Sequence, residues 1–232
     1  MNNSLKYYNC EGWLDPVAKE NPGFYKSIEK LHYAMCLADD IADRKLMPHM
    51  VSEAVWMSIV GMDLMMDYPK EWQRIRPVLQ MILESEKINL NYIPGQNELE
   101  KELSFWKTRA ALLDFYRACL SCINPKYNDP DNIAWFNEFK EFCLINNDCQ
   151  GLIDGDFEDL IQCRRNYVVL KTCGHEGYFD WEVKVSMYQC EAVEILKGLK
   201  LSHPKNEEME IFLQGKTHAE QSVQEIISRS DA

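Results

Sequence analysis

Three carboxylates fall within five residues, at Asp39, Asp40 and Asp43, in a segment otherwise carried by Met35, Cys36, Leu37 and Ile41. On a helix, Asp39 and Asp43 lie four apart and share a face, and Asp40 and Asp43 lie three apart as neighbours. Like charges this close repel, and a charge buried without a partner is very costly. The stretch Leu37–Arg44 therefore suits two settings: a solvated helix end, or a site where a cation is held between carboxylates.

Composition narrows the surroundings. At 232 residues with 46% apolar and 11% aromatic side chains, the chain can build a sizeable core and is not of the disordered class. A net charge of -12 argues against non-specific nucleic-acid binding and against docking on an anionic membrane. No run of 18 apolar residues is present, and Glu53 and Asp63 interrupt the nearest approach to one, so no membrane span is expected. The nine cysteines are odd in number, and the start Met1-Asn2-Asn3-Ser4 lacks a secretory apolar region. The thiols read as reduced and the protein as cytoplasmic. Cys119 and Cys122 form a lone CxxC within a helical pattern, better suited to a core than to zinc.

Helical periodicity runs through most of the chain, with no convincing strand or repeat. Residues 1–20 read as an N-terminal extension, irregular or with one short helix. Asn21-Pro22 opens a helix with Phe24, Ile28, Leu31, Met35 and Ala38/Ala42 at helical spacing, which puts the acidic cluster near its C-terminal end. Pro48 starts a second helix, with an apolar stripe of Val51, Val55, Ile59, Met62 and Met66. A third, from about Pro69 to Asn89, turns Trp72, Ile75, Leu79, Ile82 and Leu83 inward. Residues 96–122 return to helical period through Leu99, Leu103, Trp106, Leu113 and Tyr116/Leu120, and a long helix is expected over about 131–163. Gly174–Gly177 reads as a turn, followed by helices near 178–201 and 205–229. Glu207, Glu208 and Glu210 suit the N-terminal end of the last helix dipole. The expectation is one all-α domain over residues 1–232.

A second polar face lies within the long helix. Asn147, Gln150, Asp154 and Glu158 project to one side and all carry oxygen ligands, with Gly151 beside them. Two glycines, Gly151 and Gly155, are costly in a helix interior and suggest a compensating need. A solvated acidic face explains either stretch alone. Taken together, oxygen ligands without nearby His or Cys favour Mg²⁺, or Mn²⁺, over zinc, and Mg²⁺ is commonly completed by substrate phosphates.

At this point the residues resemble the trans-isoprenyl diphosphate synthase and class I terpene synthase superfamily. Glu29–Asp43 is similar to that family's DDxxD helix, with His32 at the expected distance before the aspartates. Trp106-Lys107-Thr108-Arg109-Ala110-Ala111-Leu112-Leu113 resembles its Lys-Thr-x-x-Leu element, and Asn147, Gln150, Gly151 and Asp154 keep the register of its later Gln-x-x-Asp-Asp-x-x-Asp. Arg164-Arg165-Asn166-Tyr167 falls where members often carry diphosphate contacts. The likeness covers roughly residues 24–170. The Gly-Lys-x-Arg element for a second diphosphate is missing, and the Arg-Arg-Gly after the aspartates is reduced to Arg44-Lys45.

The resemblance implies an isoprenoid-synthase helical bundle around a central apolar cavity. It also implies a Mg²⁺-dependent terpene cyclase that ionises one allylic diphosphate of C10–C20 length. Asp39, Asp40 and Asp43 would be the catalytic metal ligands, joined by Asn147, Gln150, Asp154 and Glu158. Lys107, Arg164, Arg165, Tyr167 and Lys171 would contact the diphosphate. Phe24, Trp56, Phe105, Tyr116, Phe139 and Phe142 are candidates for the cavity wall, although a core role is the plainer reading of each, and Gly61 would widen it. A prenyltransferase and a non-catalytic regulatory subunit are the alternatives. A homodimer is common in the resembled family.

Overall fold

The computed structural model describes residues 12–42, 48–93, 95–161, 164–172 and 181–213, with the isolated positions 224 and 228. The side chains of residues 39–42, 48–50, 53 and 90 lie outside the description. So do the expected turn Gly174–Gly177 and most of the expected closing helix.

Every regular element among the described residues is helical. In chain order they are α1 (Asp15–Glu20), α2 (Pro22–Ala42), α3 (Pro48–Met65), α4 (Pro69–Leu90), α5 (Leu99–Lys107), α6 (Ala111–Ile123), α7 (Pro130–Ile153), α8 (Glu158–Ile161), α9 (Tyr167–Thr172) and α10 (Trp181–Gly198). Short 3₁₀ turns occupy Thr108–Ala110, Pro125–Asn128 and Glu207–Phe212. Four of the long helices begin on proline, whose fixed φ and missing N–H suit a first helical position. The expected cap is present: Asn21 Oδ1 accepts the Phe24 N–H at 3.1 Å.

The chain groups into two compact units, residues 1–80 with 114–128 and residues 81–113 with 129–232. In the first, α2 and α3 pack most closely. Phe24, Ile28, Leu31 and Leu37 supply the buried side of α2, while Met35 is half-buried and Ala38 exposed. Gly61 of α3 faces Leu31: a Cβ there would lie 2.8 Å from Leu31 Cγ and 3.1 Å from its backbone nitrogen. Gly61 thus permits a close helix approach and does not widen a cavity. Ala54 and Met65 complete the inward side of α3.

The stripe Val51, Val55, Ile59, Met62 and Met66 exists as a stripe, but all five side chains are exposed, as is Trp56. The periodicity identified an apolar face correctly; only the packing partner decides whether such a face turns inward. Leu83 and Leu99 are exposed for the same reason, although Ile75 is fully buried as expected.

The second unit is built on α7. Trp106, Ile145, Cys149, Leu152, Val168, Leu170, Ala192 and Leu196 form its core. A second aromatic cluster joins Phe136, Phe139 and Phe212, with centroids 5.0–5.9 Å apart, and Trp135 stacks on Phe139. Phe139 and Phe142, candidates for a cavity wall, are buried core residues.

Two expected helices are broken. Residues 96–122 divide at Thr108–Ala110, where Thr108 Oγ1 donates to the Phe105 carbonyl at 2.7 Å and Ser85 Oγ donates to the Thr108 carbonyl at 2.7 Å. Such side-chain bonds compete with the regular helical ladder. The expected 131–163 helix stops at Ile153.

Gly61→Val is expected to lower the unfolding free energy by about 2 kcal/mol through overpacking against Leu31. Gly198→Ala, whose new methyl meets nothing within 4 Å, should leave it unchanged or slightly raised. Urea denaturation of both variants checks the pair.

Candidate functional site

The oxygen-rich face begins on α7. Near its C-terminal end Ile145, Asn146, Asp148, Cys149 and Leu152 are buried, Gln150 is half-buried, and Asn147 and Asp154 are exposed. The helix ends in a Schellman motif. Gly155 takes φ +82°, its N–H donates to the Leu152 carbonyl at 3.3 Å, and the Asp156 N–H donates to the Gly151 carbonyl at 2.8 Å. Gly155 therefore serves a left-handed cap. Asp156 Oδ1 then accepts the Glu158 N–H at 3.1 Å, and α8 starts afresh. Glu158 is no longer on the helix that carries Asn147, Gln150 and Asp154, so the expected four-residue face is cut to three.

A neighbouring residue extends that face on its inner side. The Asn146 side chain is only 8% exposed, and its Oδ1 accepts no hydrogen bond from any described residue. Asn146, Gln150 and Asp154 follow at steps of four, so they occupy an arc of about 80°. An orphaned buried acceptor is costly and calls for a donor, a water or a cation. The set Asn146, Asn147, Gln150 and Asp154 offers amide and carboxylate oxygens, which fit a hard divalent cation. The sequence reading missed Asn146 because Asn147 beside it had filled the register. No three His, Cys, Asp or Glu side chains converge on one point among the described residues.

The opposite flank of α7 is occupied by a residue that the sequence reading passed over. Asp148 is 2% exposed. Its Oδ2 accepts the Trp106 Nε1–H and the Tyr167 backbone N–H, each at 2.7 Å. Its Oδ1 accepts from Arg109 Nη1 at 3.2 Å. Arg109 also donates to both oxygens of Asp159, at 3.2 and 3.4 Å, and to the Arg165 carbonyl. Burial pushes the Asp148 carboxyl up to about 6, against the opposing pull of Arg109. The available signal was a lone carboxylate between Ile145 and Leu152 in the apolar register.

The expected phosphate contacts are dispersed through this unit. Lys107 Nζ pairs with Glu141 at 2.8 Å, both partly exposed. The Arg164 N–H donates to the Asp159 carbonyl at 2.7 Å. Arg165 is 3% exposed: its Nε donates to Glu102 Oε2 at 2.7 Å and its Nη1 to the Ile88 carbonyl at 2.8 Å. Its guanidinium lies 4.4 Å from the Tyr92 ring centroid and 5.0 Å from that of Phe105. Arg165 is thus built into the interior rather than presented to a substrate. Tyr167 packs beside Trp106 with centroids 4.9 Å apart and rings tilted by 40°, and Lys171 Nζ stands 5.6 Å from the Tyr167 ring centroid, so these two expected contacts are neighbours. Lys171 also borders a wide groove of about 740 Å³ whose other wall, on α10, carries Glu182, Glu191 and Glu194.

In the first unit, Asp39 and Asp40 occupy the last turn of α2, as expected. Their side chains, and Asp43 altogether, lie outside the described residues. His32 is buried, and its Nε2 meets the Tyr116 hydroxyl at 2.6 Å.

Asp148 gives a signed pH dependence. Its carboxyl holds a proton more tightly folded than unfolded, so its stabilising share is full below about pH 4 and is lost as pH rises through about 6. Asp148→Asn should flatten that fall: it should cost about 1–3 kcal/mol near pH 4, where an amide N–H is turned towards the Trp106, Tyr167 and Arg109 donors, and less as pH rises through about 6. Chemical denaturation of both proteins between pH 4 and 7 checks both parts. Arg165→Gln should cost about 3 kcal/mol by stranding Glu102, measured the same way.

No protein-family model, no curated protein and no solved structure matches the chain, so a function for this site has to follow from its own residues.

Proposed function

We propose that the chain is a Mg²⁺-dependent class I terpene synthase acting on a single allylic isoprenoid diphosphate. One observation carries the reading. Both oxygen-rich stretches sit at the C-terminal ends of long helices, α2 and α7, and neither helix has a basic residue in its last turn. The negative end of the helix dipole disfavours carboxylates there by roughly 0.3–1 kcal/mol each and favours cations. Asp39 and Asp40 in the last turn of α2 and Asp154 at the C-cap of α7 carry charge at that disfavoured end; a bound cation would relieve the cost, and would also answer the orphaned Asn146 Oδ1 further up α7.

In this scheme Asp39, Asp40 and Asp43 form one set of ligands, and Asn146, Asn147, Gln150 and Asp154 the other. When bound, Mg²⁺ would neutralise the charge that grows on the departing diphosphate. Lys107, at the end of α5, can release Glu141 and donate to a phosphate oxygen, since both partners are partly exposed. Lys171 can do the same from α9. Arg165 holds its segment in place through Glu102 and is assigned no phosphate role.

A non-catalytic regulatory relative is the second reading, and the burial of Arg165 is the observation that favours it. One experiment separates the two. The purified chain is incubated with Mg²⁺ and C10, C15 and C20 allylic diphosphates, with and without isopentenyl diphosphate, and products are read by gas chromatography. A hydrocarbon or alcohol formed without isopentenyl diphosphate, and abolished by EDTA, is expected. Asp39→Asn and Asp154→Asn should each slow turnover by roughly 100-fold or more, while Glu158→Gln should change it by less than about threefold because Glu158 begins a helix separate from α7. Binding of diphosphate without turnover identifies the regulatory reading, longer diphosphates identify a prenyltransferase, and full turnover in EDTA overturns the metal scheme.

A further inference from the structure

We infer that the outward face of α10 is a docking site for a basic amphipathic helix of a partner protein. The inference does not rest on the metal chemistry and stands or falls separately from it.

The core holds α10 by one side. Ala192 and Leu196 enter the core, and Gln189 Nε2 donates to the Leu152 carbonyl at 2.9 Å. On the opposite side Val183, Met187, Cys190 and Glu194 step by four, three and four, so they fall within an arc of about 60°. Val183 is 45% and Met187 36% exposed, and Cys190 is exposed as well. This stripe forms the α10 side of the groove of about 740 Å³ that Lys171 borders from α9. From Glu182 to Glu194 that side runs for about 18 Å, at 1.5 Å per residue. A trough of that length matches about three turns of helix, whereas a small-molecule site encloses most of its ligand.

Charge selects the occupant. Glu182 and Glu191 stand on the two flanks of the stripe, and Glu194 ends it. Glu194 pairs with Lys197 of its own helix at 3.0 Å, while among the described residues Glu182 and Glu191 have no cation at ion-pair distance. On the opposite wall, Lys171 Nζ stands 5.6 Å from the Tyr167 ring centroid. Lys184, two turns from Glu191 on the same flank, does not line the groove. An apolar stripe edged by carboxylates is the complement of a helix whose own apolar stripe is edged by Lys or Arg. Flanking charges of this kind set partner choice between packed helices, and a charge within the stripe, as at Glu194, fixes register.

The same charge argues against other occupants. A second copy of this chain, at a net charge of -12, brings like charge to the face. Nucleic acid and an anionic membrane do so too. A basic helix is drawn to this face by the field of the whole chain.

The test uses the full chain and a synthetic helix of about 14 residues, with leucines at i, i+4 and i+7 and lysines on both flanks, followed by fluorescence anisotropy. Saturable binding is expected, roughly tenfold or more tighter than for a scrambled peptide of the same composition. A peptide with glutamate in place of every lysine should not bind. Met187→Ser should weaken binding of the basic helix about fivefold. The double variant Glu182→Lys, Glu191→Lys should lose the basic helix and bind the acidic one, a gain that a misfolded protein cannot give. Absence of saturable binding, equal binding of the scrambled peptide, or a charge reversal that leaves the preference unchanged overturns the inference. Displacement of the helix by an equal concentration of spermine also overturns it and assigns the groove to a small polycation.

Discussion

The Asp148 carboxylate is the interaction on which the second unit depends. A buried charge survives only when its desolvation is offset by close, well-directed donors. Asp148 draws its donors from three places: the Trp106 indole at the end of α5, the Arg109 guanidinium in the 3₁₀ turn that follows, and the first backbone N–H of α9. Each donor is far from Asp148 along the chain. One side chain thereby fixes how α5 and α9 sit against α7. Because Asp148 lies roughly opposite Asn146, Gln150 and Asp154 around the helix, it grips α7 on one flank and leaves the ligand-rich flank clear.

Much of the helical architecture was legible in the residues themselves. Pro22, Pro48, Pro69 and Pro130 open helices, and Asn21 caps as its side chain suggests. The end of α7 was written in the chain as well. Asp154-Gly155 is a plain stop signal, overridden because Glu158 completed an attractive oxygen-rich register. Other features have no local signal. The break at Thr108 depends on Ser85, more than twenty residues away, and the outward turn of the α3 stripe depends on the backbone of Leu31.

The candidate site was legible in kind but not in detail. Carboxylates and amides in helical register do mark the C-terminal ends of α2 and α7. Register alone cannot say which of two adjacent asparagines is buried, and it is Asn146 whose oxygen stands in need of a partner. Nor can a basic pair such as Arg164-Arg165 announce that one member is a tie inside the fold. That follows from Glu102, whose carboxylate is also held by Asn97 Nδ2 at 2.6 Å. Charge in a sequence indicates that a partner is needed; distance in the fold decides whether the partner is a substrate or the protein.

The fork at Arg109 has a consequence for how such a chain can drift. One guanidinium there serves two carboxylates and a carbonyl through Nη1, while Nη2 reaches the second oxygen of Asp159. Lysine keeps the charge but has one nitrogen where the guanidinium uses two, and so loses the two-nitrogen hold on both Asp159 oxygens. Position 109 is thus costly to fill even with the other common cation. Lys107, two residues earlier, meets one partly exposed carboxylate and can vary together with Glu141. Descendants of this sequence would be recognised less by the residues that meet a substrate than by an arginine that never does.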